Sequence, residues 1–213
     1  QEGENVGVCS VVGNFDDAQT GVKKLFSDEA LREQLAEREY FLSSANSINW
    51  GRVLPQIVYY ISAYCDLLRD EKIKKGDPIN VCVPTGNFGN ILAAYYAKEM
   101  GVPINKLICA SNANNVLTDF IRTGQYDRNR TFHNTMSPSM DILISSNLER
   151  MLFALSDHDD AEVRGYMNQL NTVGMYKVSP AIQTKLSRIF AAGCCDDAQT
   201  QKVIRQMWKE HGY

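Results

Sequence analysis

The sequence predicts an α/β fold in which a parallel sheet carries helices on both faces, followed by a helical C-terminal region. Between residues 5 and 124, apolar strand-like runs alternate four times with amphipathic helical stretches. The runs are apolar enough to be buried on both faces, which is typical of parallel strands. Each run ends in a turn rich in glycine, serine or asparagine, and right-handed crossovers bring such turns to one edge of the sheet. Open α/β sheets bind their ligands at that edge.

The first strand is predicted over residues 5–12 and ends at Gly13. A helix follows with two acidic residues in its first turn, where carboxylates interact favourably with the helix dipole. We expect a second helix over residues 28–39 and a short strand over residues 40–42.

A polar cluster over residues 43–49 separates that strand from a long helix predicted over residues 50–70. Arg52 lies in the first turn of this helix. The apolar spacing predicts an inner side lined by Val58, Ile61, Cys65 and Leu68.

The third unit consists of a strand over residues 79–83, a turn, and a helix over residues 90–100. Pro84 cannot donate a hydrogen bond to a neighbouring strand, so it ends the strand. Gly86 and Gly89 lack a Cβ and let the backbone approach a ligand closely. Because a helix N-terminus presents free N–H groups and a positive dipole end, the turn favours a phosphate or a carboxylate. The competing interpretation is an ordinary βα loop whose glycines serve only the chain reversal.

The fourth unit covers residues 106–122 and contains a polar turn at residues 111–115. We divide the chain into an α/β core over residues 1–125, an irregular segment plus helix over residues 126–157 that completes it, and an appended helical region over residues 158–213. The helices expected in this appended region cover residues 159–171, 179–192 and 196–212.

The composition excludes several classes of partner. The net charge of −3 gives no reason to expect binding to nucleic acid or to an anionic membrane. No apolar run approaches the roughly 20 residues of a membrane-spanning helix.

The six cysteines show neither C-x-x-C spacing nor a neighbouring histidine. We therefore expect no disulfide and no metal site, and we expect the protein to lie in the reducing cytoplasm. They are Cys9, Cys65, Cys82, Cys109, Cys194 and Cys195.

Six segments resemble, in the same order, segments of threonine synthases, which are pyridoxal 5′-phosphate enzymes. The central one, PTGNFGN at residues 84–90, resembles the loop that binds the cofactor phosphate. Together the six span about residues 8–155, and the chain after residue 155 matches no motif of the family. The other five are GNFDD at residues 13–17, SANSIN at 44–49, SNAN at 111–114, TMSPSMD at 135–141 and SSNLER at 145–150.

The resemblance implies a fold-type-II enzyme that converts O-phospho-L-homoserine and water to L-threonine and phosphate. In such enzymes a lysine holds the cofactor as a Schiff base and moves protons, while the pyridine ring withdraws electron density. The cofactor-binding residues that it implies are Thr85, Gly86, Asn87, Phe88, Gly89 and Asn90. The substrate-binding residues that it implies are Ser44, Asn46, Ser47, Asn49 and Arg52.

Several of these residues have a competing interpretation. The planar guanidinium of Arg52 suits the substrate phosphate, but a surface salt bridge would also explain an arginine there. The cluster at residues 44–49 either faces the ligand or only caps a helix. His133 is expected to be structural rather than a general base. A site role and a capping role are both open for Asn112, Asn114 and Asn115.

One part of the family pattern is missing. The Schiff-base lysine of threonine synthases lies in a His-Gly-Pro-Thr-x-x-Phe-Lys-Asp segment, N-terminal to the strand that begins this chain, and no such segment is present. A late Asp-x-His-Thr-Ala-Val segment is also missing. We therefore expect an internal fragment with no catalytic residue of its own and no turnover alone. The alternatives are a serine/threonine dehydratase or a related enzyme, and a non-catalytic module that binds a phosphorylated metabolite.

Overall fold

The computed structural model describes residues 3–13, 15–44 and 46–212. Asn14 and Ala45, which belong to two of the segments quoted above, lie outside these residues. The chain forms two units, and the candidate site belongs to the second. The predicted division into three regions stays a prediction.

The first unit, Gln1–Ser44, contains two helices, α1 (Phe15–Ser27) and α2 (Glu29–Ala36). The side chain of Asp28 caps α2, because its Oδ1 accepts a hydrogen bond from the N–H of Leu31 at 2.9 Å. This carboxylate satisfies one of the N–H groups that a helix leaves without an internal partner in its first turn.

The strands predicted over residues 5–12 and 40–42 are wrong. The described part of the first unit contains one backbone bridge, between Gly3 and Val6, and no strand. The side chain of Val12 is fully exposed and Phe41 is 86% exposed. A strand needs a neighbour that pairs with its backbone N–H and C=O groups, and the described residues of this unit provide none.

The second unit, Ala45–Tyr213, contains the sheet. Its first helix begins after Asn49, whose Oδ1 accepts a hydrogen bond from the N–H of Gly51 at 2.9 Å. The elements in chain order are α3 (Trp50–Arg69), β1 (Ile79–Pro84), α4 (Gly89–Glu99), β2 (Ile104–Ser111), α5 (Val116–Thr123), β3 (Gln125–Asp127), a 3₁₀ turn (Pro138–Met140), α6 (Leu148–Leu155), α7 (Asp160–Thr172), β4 (Met175–Lys177), α8 (Pro180–Ile189), β5 (Phe190–Cys194) and α9 (Asp197–His211).

Strands β1, β2 and β5 form a parallel sheet with β2 in the centre. Cys109 of β2 lies opposite Val83 of β1 and Ala192 of β5. Helix α4 contacts β1 and β2, whereas α5 and α8 contact β2 and β5. The predicted α/β class with a parallel sheet is confirmed.

The third strand of this sheet comes from the region that was predicted to be helical. The helix predicted over residues 179–192 ends at Ile189, and β5 begins at Phe190. Alanines 191 and 192 favour a helix locally. Pairing with β2 gives the backbone of β5 its hydrogen-bond partners and buries Phe190, which is 3% exposed. Tertiary pairing therefore overrides the local preference.

One strand of a second, two-stranded sheet also interrupts the predicted helical region. Strands β3 and β4 pair antiparallel, with Tyr126 opposite Tyr176. Tyr176 is 2% exposed, and Leu186 of α8 is fully buried. The region after residue 158 is therefore part of the same hydrophobic core as the sheet.

Helix α3 packs on α4 with a face that the periodicity alone did not identify. Its buried residues are Val53, Ile57 and Tyr64, whereas Val58 and Cys65, predicted to face inward, are exposed. The helix has apolar residues on more than one side, so spacing allows two stripes, and packing against α4 selects one.

All six cysteines are free, and of these Cys109 is buried. Burial raises the pKa of the Cys109 thiol to about 11. Cys9 and Cys82, which were predicted to lie in buried strands, are exposed.

No helix in the described part of the chain is long and apolar enough to cross a membrane. The described residues also contain no cluster of His, Cys, Asp and Glu that could hold a metal ion.

Candidate functional site

Residues 85–90 form the turn that follows β1 and include the first two residues of α4. The N–H of Thr85 donates to the carbonyl of Ala110 at 2.8 Å, so the turn starts from a paired strand. Phe88 has a left-handed backbone, with φ of 63°, and its ring is buried with its centroid 5.7 Å from that of Phe190. This conformation costs a non-glycine residue about 1–2 kcal/mol, and the burial of the ring offsets it.

The backbone N–H groups of residues 86–91 are the main feature of this turn. No described group accepts a hydrogen bond from any of them, and the first bond of α4 runs from Leu92 to the carbonyl of Phe88 at 3.0 Å. Three of these N–H groups lie in the first turn of α4, at the positive end of its dipole. Consecutive free N–H groups at a helix N-terminus favour an anion.

Gly86 and Gly89 are needed because neighbouring groups approach the turn closely. A Cβ on Gly86 would lie 2.9 Å from the carbonyl oxygen of Ser139. A Cβ on Gly89 would lie 2.5 Å from the Cβ of Ser47. Ser47 and Ser139, which belong to two other quoted segments, therefore pack directly on the turn.

Asn147 and Arg150 connect the polar cluster to this turn. The Nδ2 of Asn147, a fully buried residue, donates to the carbonyl of Asn87 at 2.9 Å and to the Oγ of Ser47 at 3.2 Å. Arg150 donates to the carbonyls of Ser47 at 3.1 Å and Ile48 at 2.5 Å, and to the Oδ1 of Asn147. Because guanidinium donors have a fixed geometry, this pair holds the two segments in one arrangement.

The serines before Asn147 hold the same turn. The Oγ of Ser145 donates to the carbonyl of Gly86 at 2.9 Å. The Oγ of Ser146 donates to the Oδ1 of Asn87 at 3.4 Å. Residues 145–147 thus bind the carbonyl groups of the turn and leave its N–H groups free.

A second polar turn, at residues 111–115, follows the neighbouring strand β2, and its side chains bind Asp141. The Oδ1 of this buried carboxylate accepts hydrogen bonds from the Nδ2 atoms of Asn112 at 2.7 Å and Asn114 at 3.0 Å. Thr135 donates to the same carboxylate through its N–H at 3.0 Å and its Oγ1 at 2.7 Å. These side chains bind one another, and a site role for Asn112 and Asn114 stays a prediction.

Within the predicted substrate cluster, two residues stabilise the turn itself. The Oδ1 of Asn46 accepts a hydrogen bond from the N–H of Ile48 at 3.0 Å. Asn49 caps α3, as one interpretation of this cluster expected. Ser47 differs from them, because it packs against Gly89 of the turn at residues 85–90.

Arg52 lies exposed in the first turn of α3 and forms no salt bridge with a described residue. The competing interpretation as a surface salt bridge is therefore not supported, and the substrate role stays a prediction. Ser44 belongs to the first unit, and its role also stays a prediction.

Asn90, at the end of the turn, is held by α3. Its Oδ1 accepts a hydrogen bond from the hydroxyl of Tyr60, and its Nδ2 donates to the Oε1 of Gln56 at 2.8 Å. Burial raises the pKa of Tyr60 to about 12. Asn90 therefore presents its backbone N–H, rather than its side chain, to a ligand of the turn.

The last two predicted positions, Asn115 and His133, are bound by neighbouring residues. The Oδ1 of Asn115 accepts a hydrogen bond from Nη1 of Arg130 at 3.0 Å. His133 is exposed, and its backbone N–H and carbonyl pair with the side chain of Asn114. The contacts of His133 are thus those of a structural residue.

The residues that hold the site together had no role in the sequence interpretation. Asp141, Ser145, Asn147 and Arg150 all lie in quoted segments, but polar residues in irregular segments give no periodic signal. Their only sign was composition, because hydroxyl, amide and charged residues recur in these two segments.

Comparison with known proteins shows which proteins the chain is similar to. No family model matches the chain. Human threonine synthase-like 1 is 48% identical over 212 residues, which is 99% of this chain and 28% of that protein. The threonine synthase of Saccharomyces cerevisiae is 36% identical over 215 residues, which is 97% of this chain and 40% of that protein.

A solved structure, that of threonine synthase from Brucella melitensis with pyridoxal phosphate bound, has a TM-score of 0.84 at 41% identity. The match covers 96% of this chain and 42% of that one. The chain is homologous to threonine synthases. The threonine synthase of Escherichia coli has the same fold, with a TM-score of 0.71 at 28% identity.

The homology to threonine synthases also reaches the region after residue 155, where no motif was found. The matched share of 97–99% includes β5, so the third strand of the sheet belongs to the shared segment. This chain spans between 28% and 43% of the length of the curated relatives that it matches. The predicted relationship to threonine synthases is confirmed.

Proposed function

We propose that the protein functions in a threonine synthase that uses pyridoxal 5′-phosphate to convert O-phospho-L-homoserine and water to L-threonine and phosphate. The observation that carries this proposal is the row of free N–H groups at residues 86–91. The homology supports it, because the relatives include enzymes named threonine synthase and a structure that contains this cofactor.

The residues of the turn fit the phosphate of this cofactor. The two glycines keep side chains out of the turn, and the N–H groups and the helix dipole match a dianion. A hydrogen bond to a charged group contributes about 1.5–3 kcal/mol, so several such bonds suffice to hold the phosphate. When bound, the cofactor supplies a ring that withdraws electron density from the substrate.

The chain's own residues then have three roles. The turn binds the cofactor phosphate through backbone N–H groups. Asn147 and Arg150 keep Ser47 beside the turn, so its hydroxyl is available to orient a ligand. Arg52, which is unpaired among the described residues, binds the phosphate of O-phosphohomoserine with its planar guanidinium.

The half-buried lysines of the second unit are engaged elsewhere. Lys98 donates to the carbonyl of Ile104, and Lys106 donates to those of Ser187 and Arg188. Lys185 donates to the carbonyl of Leu155 and to the carboxylate of Asp157. We therefore expect no turnover by these 213 residues alone, and we assign the cofactor lysine to another part of the enzyme. The free cysteines support a cytoplasmic location.

Binding of pyridoxamine 5′-phosphate tests the proposal, because this analogue needs no lysine. In ¹H–¹⁵N spectra of the chain, the amide signals of residues 86–91 are expected to shift on titration. Pyridoxamine without the phosphate, the matched control ligand, should leave them in place. Shifts elsewhere with none in the turn would contradict the proposal.

An activity assay tests the second part. The chain with pyridoxal 5′-phosphate and O-phosphohomoserine is expected to release no phosphate above the protein-free reaction. Threonine formation by these residues alone would refute the assignment of the lysine to another part of the enzyme.

A further inference from the structure

Four aromatic rings connect the region after residue 158 with the pair β3–β4. Tyr126 and Tyr176 stack with centroids 5.4 Å apart, and Tyr166 stacks on the same Tyr176 at 5.3 Å. Phe120 meets Tyr126 edge-on at 5.7 Å. Since Tyr126 is 1% exposed, these contacts leave its ring no other position.

The hydroxyl of Tyr126 leaves this stack and binds the irregular segment before α6. It donates to the carbonyl of Leu143 at 2.9 Å and accepts a hydrogen bond from the N–H of Ser145 at 2.9 Å. Ser145 is itself buried, at 7% exposed. Without the hydroxyl, the N–H of Ser145 would be buried without an acceptor.

Ser145 continues this chain of hydrogen bonds to the anion-binding turn. Its Oγ donates to the carbonyl of Gly86 at 2.9 Å. A trans peptide is planar, and its C=O and N–H groups point in opposite directions. Fixing the carbonyl of Gly86 therefore fixes the direction of the N–H of Asn87, which lies on the far side of the same peptide.

We propose that Tyr126 is a positioning residue for the anion-binding turn, acting through Ser145 to aim the N–H of Asn87. The stack that holds Tyr126 includes Tyr166 of α7 and Tyr176 of β4, so the C-terminal region supports the site. The part of this inference that concerns ligand affinity rests on the proposed function. The part that concerns the geometry of the turn does not.

Tyr126→Phe is the direct test, because it removes one oxygen and keeps the ring. In the ligand-free protein, the ¹⁵N order parameters of residues 86–88 are expected to fall from rigid values to those of a flexible loop. The matched control is Tyr176→Phe. Its ring belongs to the same stack, but its hydroxyl makes no hydrogen bond to a described residue, so the turn should stay rigid.

Ligand affinity supplies the second measurement. The dissociation constant for pyridoxamine 5′-phosphate is expected to rise about tenfold in Tyr126→Phe, as for the loss of one buried hydrogen bond. Ser145→Ala should have the same effect, and the double variant should add little to either, because all three break one chain of contacts. Ser145→Thr retains the hydroxyl and should keep the wild-type affinity for pyridoxamine 5′-phosphate.

The outcomes separate the two proposals. If the wild-type protein fails to bind the analogue, the proposed function is wrong, and the order parameters still decide the role of Tyr126. If the turn keeps its order parameters in Tyr126→Phe, or if the two single effects on affinity add fully, the positioning role is refuted. Should Tyr126→Phe not fold, Ser145→Ala decides: a rigid turn with unchanged affinity refutes the role.

Discussion

Two polar turns follow neighbouring parallel strands in this protein, and they use similar residues in opposite ways. Residues 85–90 follow β1 and keep the N–H groups of residues 86–91 free. Residues 111–115 follow β2, and Asn112 and Asn114 in this turn bind the buried carboxylate of Asp141. Both turns are rich in asparagine and precede a helix. They differ in what binds them: Ser145 and Asn147 bind main-chain carbonyls of the first turn, and Asp141 binds side-chain amides of the second.

This contrast lies in which polar groups of each turn are already bound by the chain. In the first turn, the groups that are satisfied are C=O groups, so donors remain for an anion. In the second, the buried carboxylate of Asp141 accepts hydrogen bonds from the side-chain amides of Asn112 and Asn114. The second turn thereby orders residues 135–141, which in turn pack on Gly86.

The largest effect is expected from removing the carboxylate of the closed turn. Asp141→Ala should lower the free energy of unfolding by about 4 kcal/mol, because it leaves the buried donors of Asn112, Asn114 and Thr135 without an acceptor. Urea denaturation measures this change. Asp160→Ala, at an exposed aspartate paired with Arg164, should stay within about 0.5 kcal/mol. Equal losses in the two variants would remove the distinction between the turns.

The next effect concerns the open turn. Gly89→Ala should cost about 1–3 kcal/mol, because the new Cβ would lie 2.5 Å from the Cβ of Ser47. Adding Ser47→Gly should recover most of the loss. The control is Gly165→Ala in α7, where no atom lies within 4 Å of the added Cβ, and it should stabilise the protein by about 0.5–1 kcal/mol. A stable Gly89→Ala protein would show that the turn is not closely packed.

A smaller effect is expected where the polar cluster joins the open turn. Arg150→Lys should lower the free energy of unfolding by about 1–2 kcal/mol, since an ammonium cannot reach the carbonyls of Ser47 and Ile48 together. Arg69→Lys, on the exposed surface of α3, should change it by less than about 0.5 kcal/mol. Urea denaturation of both variants measures the free energies of unfolding. Equal losses would show that Arg150 does not hold Ser47 and Ile48 in place.

The smallest effect is a dependence on alkaline pH. Burial raises the pKa of Tyr60 to about 12 in the folded protein, and an unfolded tyrosine ionises near pH 10. The neutral phenol is thus favoured by folding. Its contribution to stability is complete below about pH 10 and is lost as the pH rises toward 12.

Tyr60→Phe should therefore lose less stability than the wild type between pH 9 and about 11, measured by urea denaturation at each pH. Tyr59→Phe, at a position that is 59% exposed, should follow the wild type. Parallel curves for Tyr60→Phe and the wild type would show that the Tyr60 phenol does not favour the neutral form on folding.

Sequence pattern was sufficient for the elements whose neighbours are close along the chain. The strand ending at Pro84, the turn with its two glycines and the helix after it are all present, because proline and glycine act locally. The same reasoning failed for residues 5–12 and for β5. Whether an apolar run becomes a strand depends on a partner strand, which can lie anywhere in the sequence.

The turn at residues 85–90 shows the same division. Its residues, its place after a strand and its free N–H groups follow from local sequence, since they depend on glycine and on the start of a helix. Its supports do not: Ser145 and Asn147 contact it from about 60 positions away along the chain, and Arg150 holds Asn147. Only the tertiary structure assigned those roles, because a hydrogen bond between distant segments exists only after the core has brought them together.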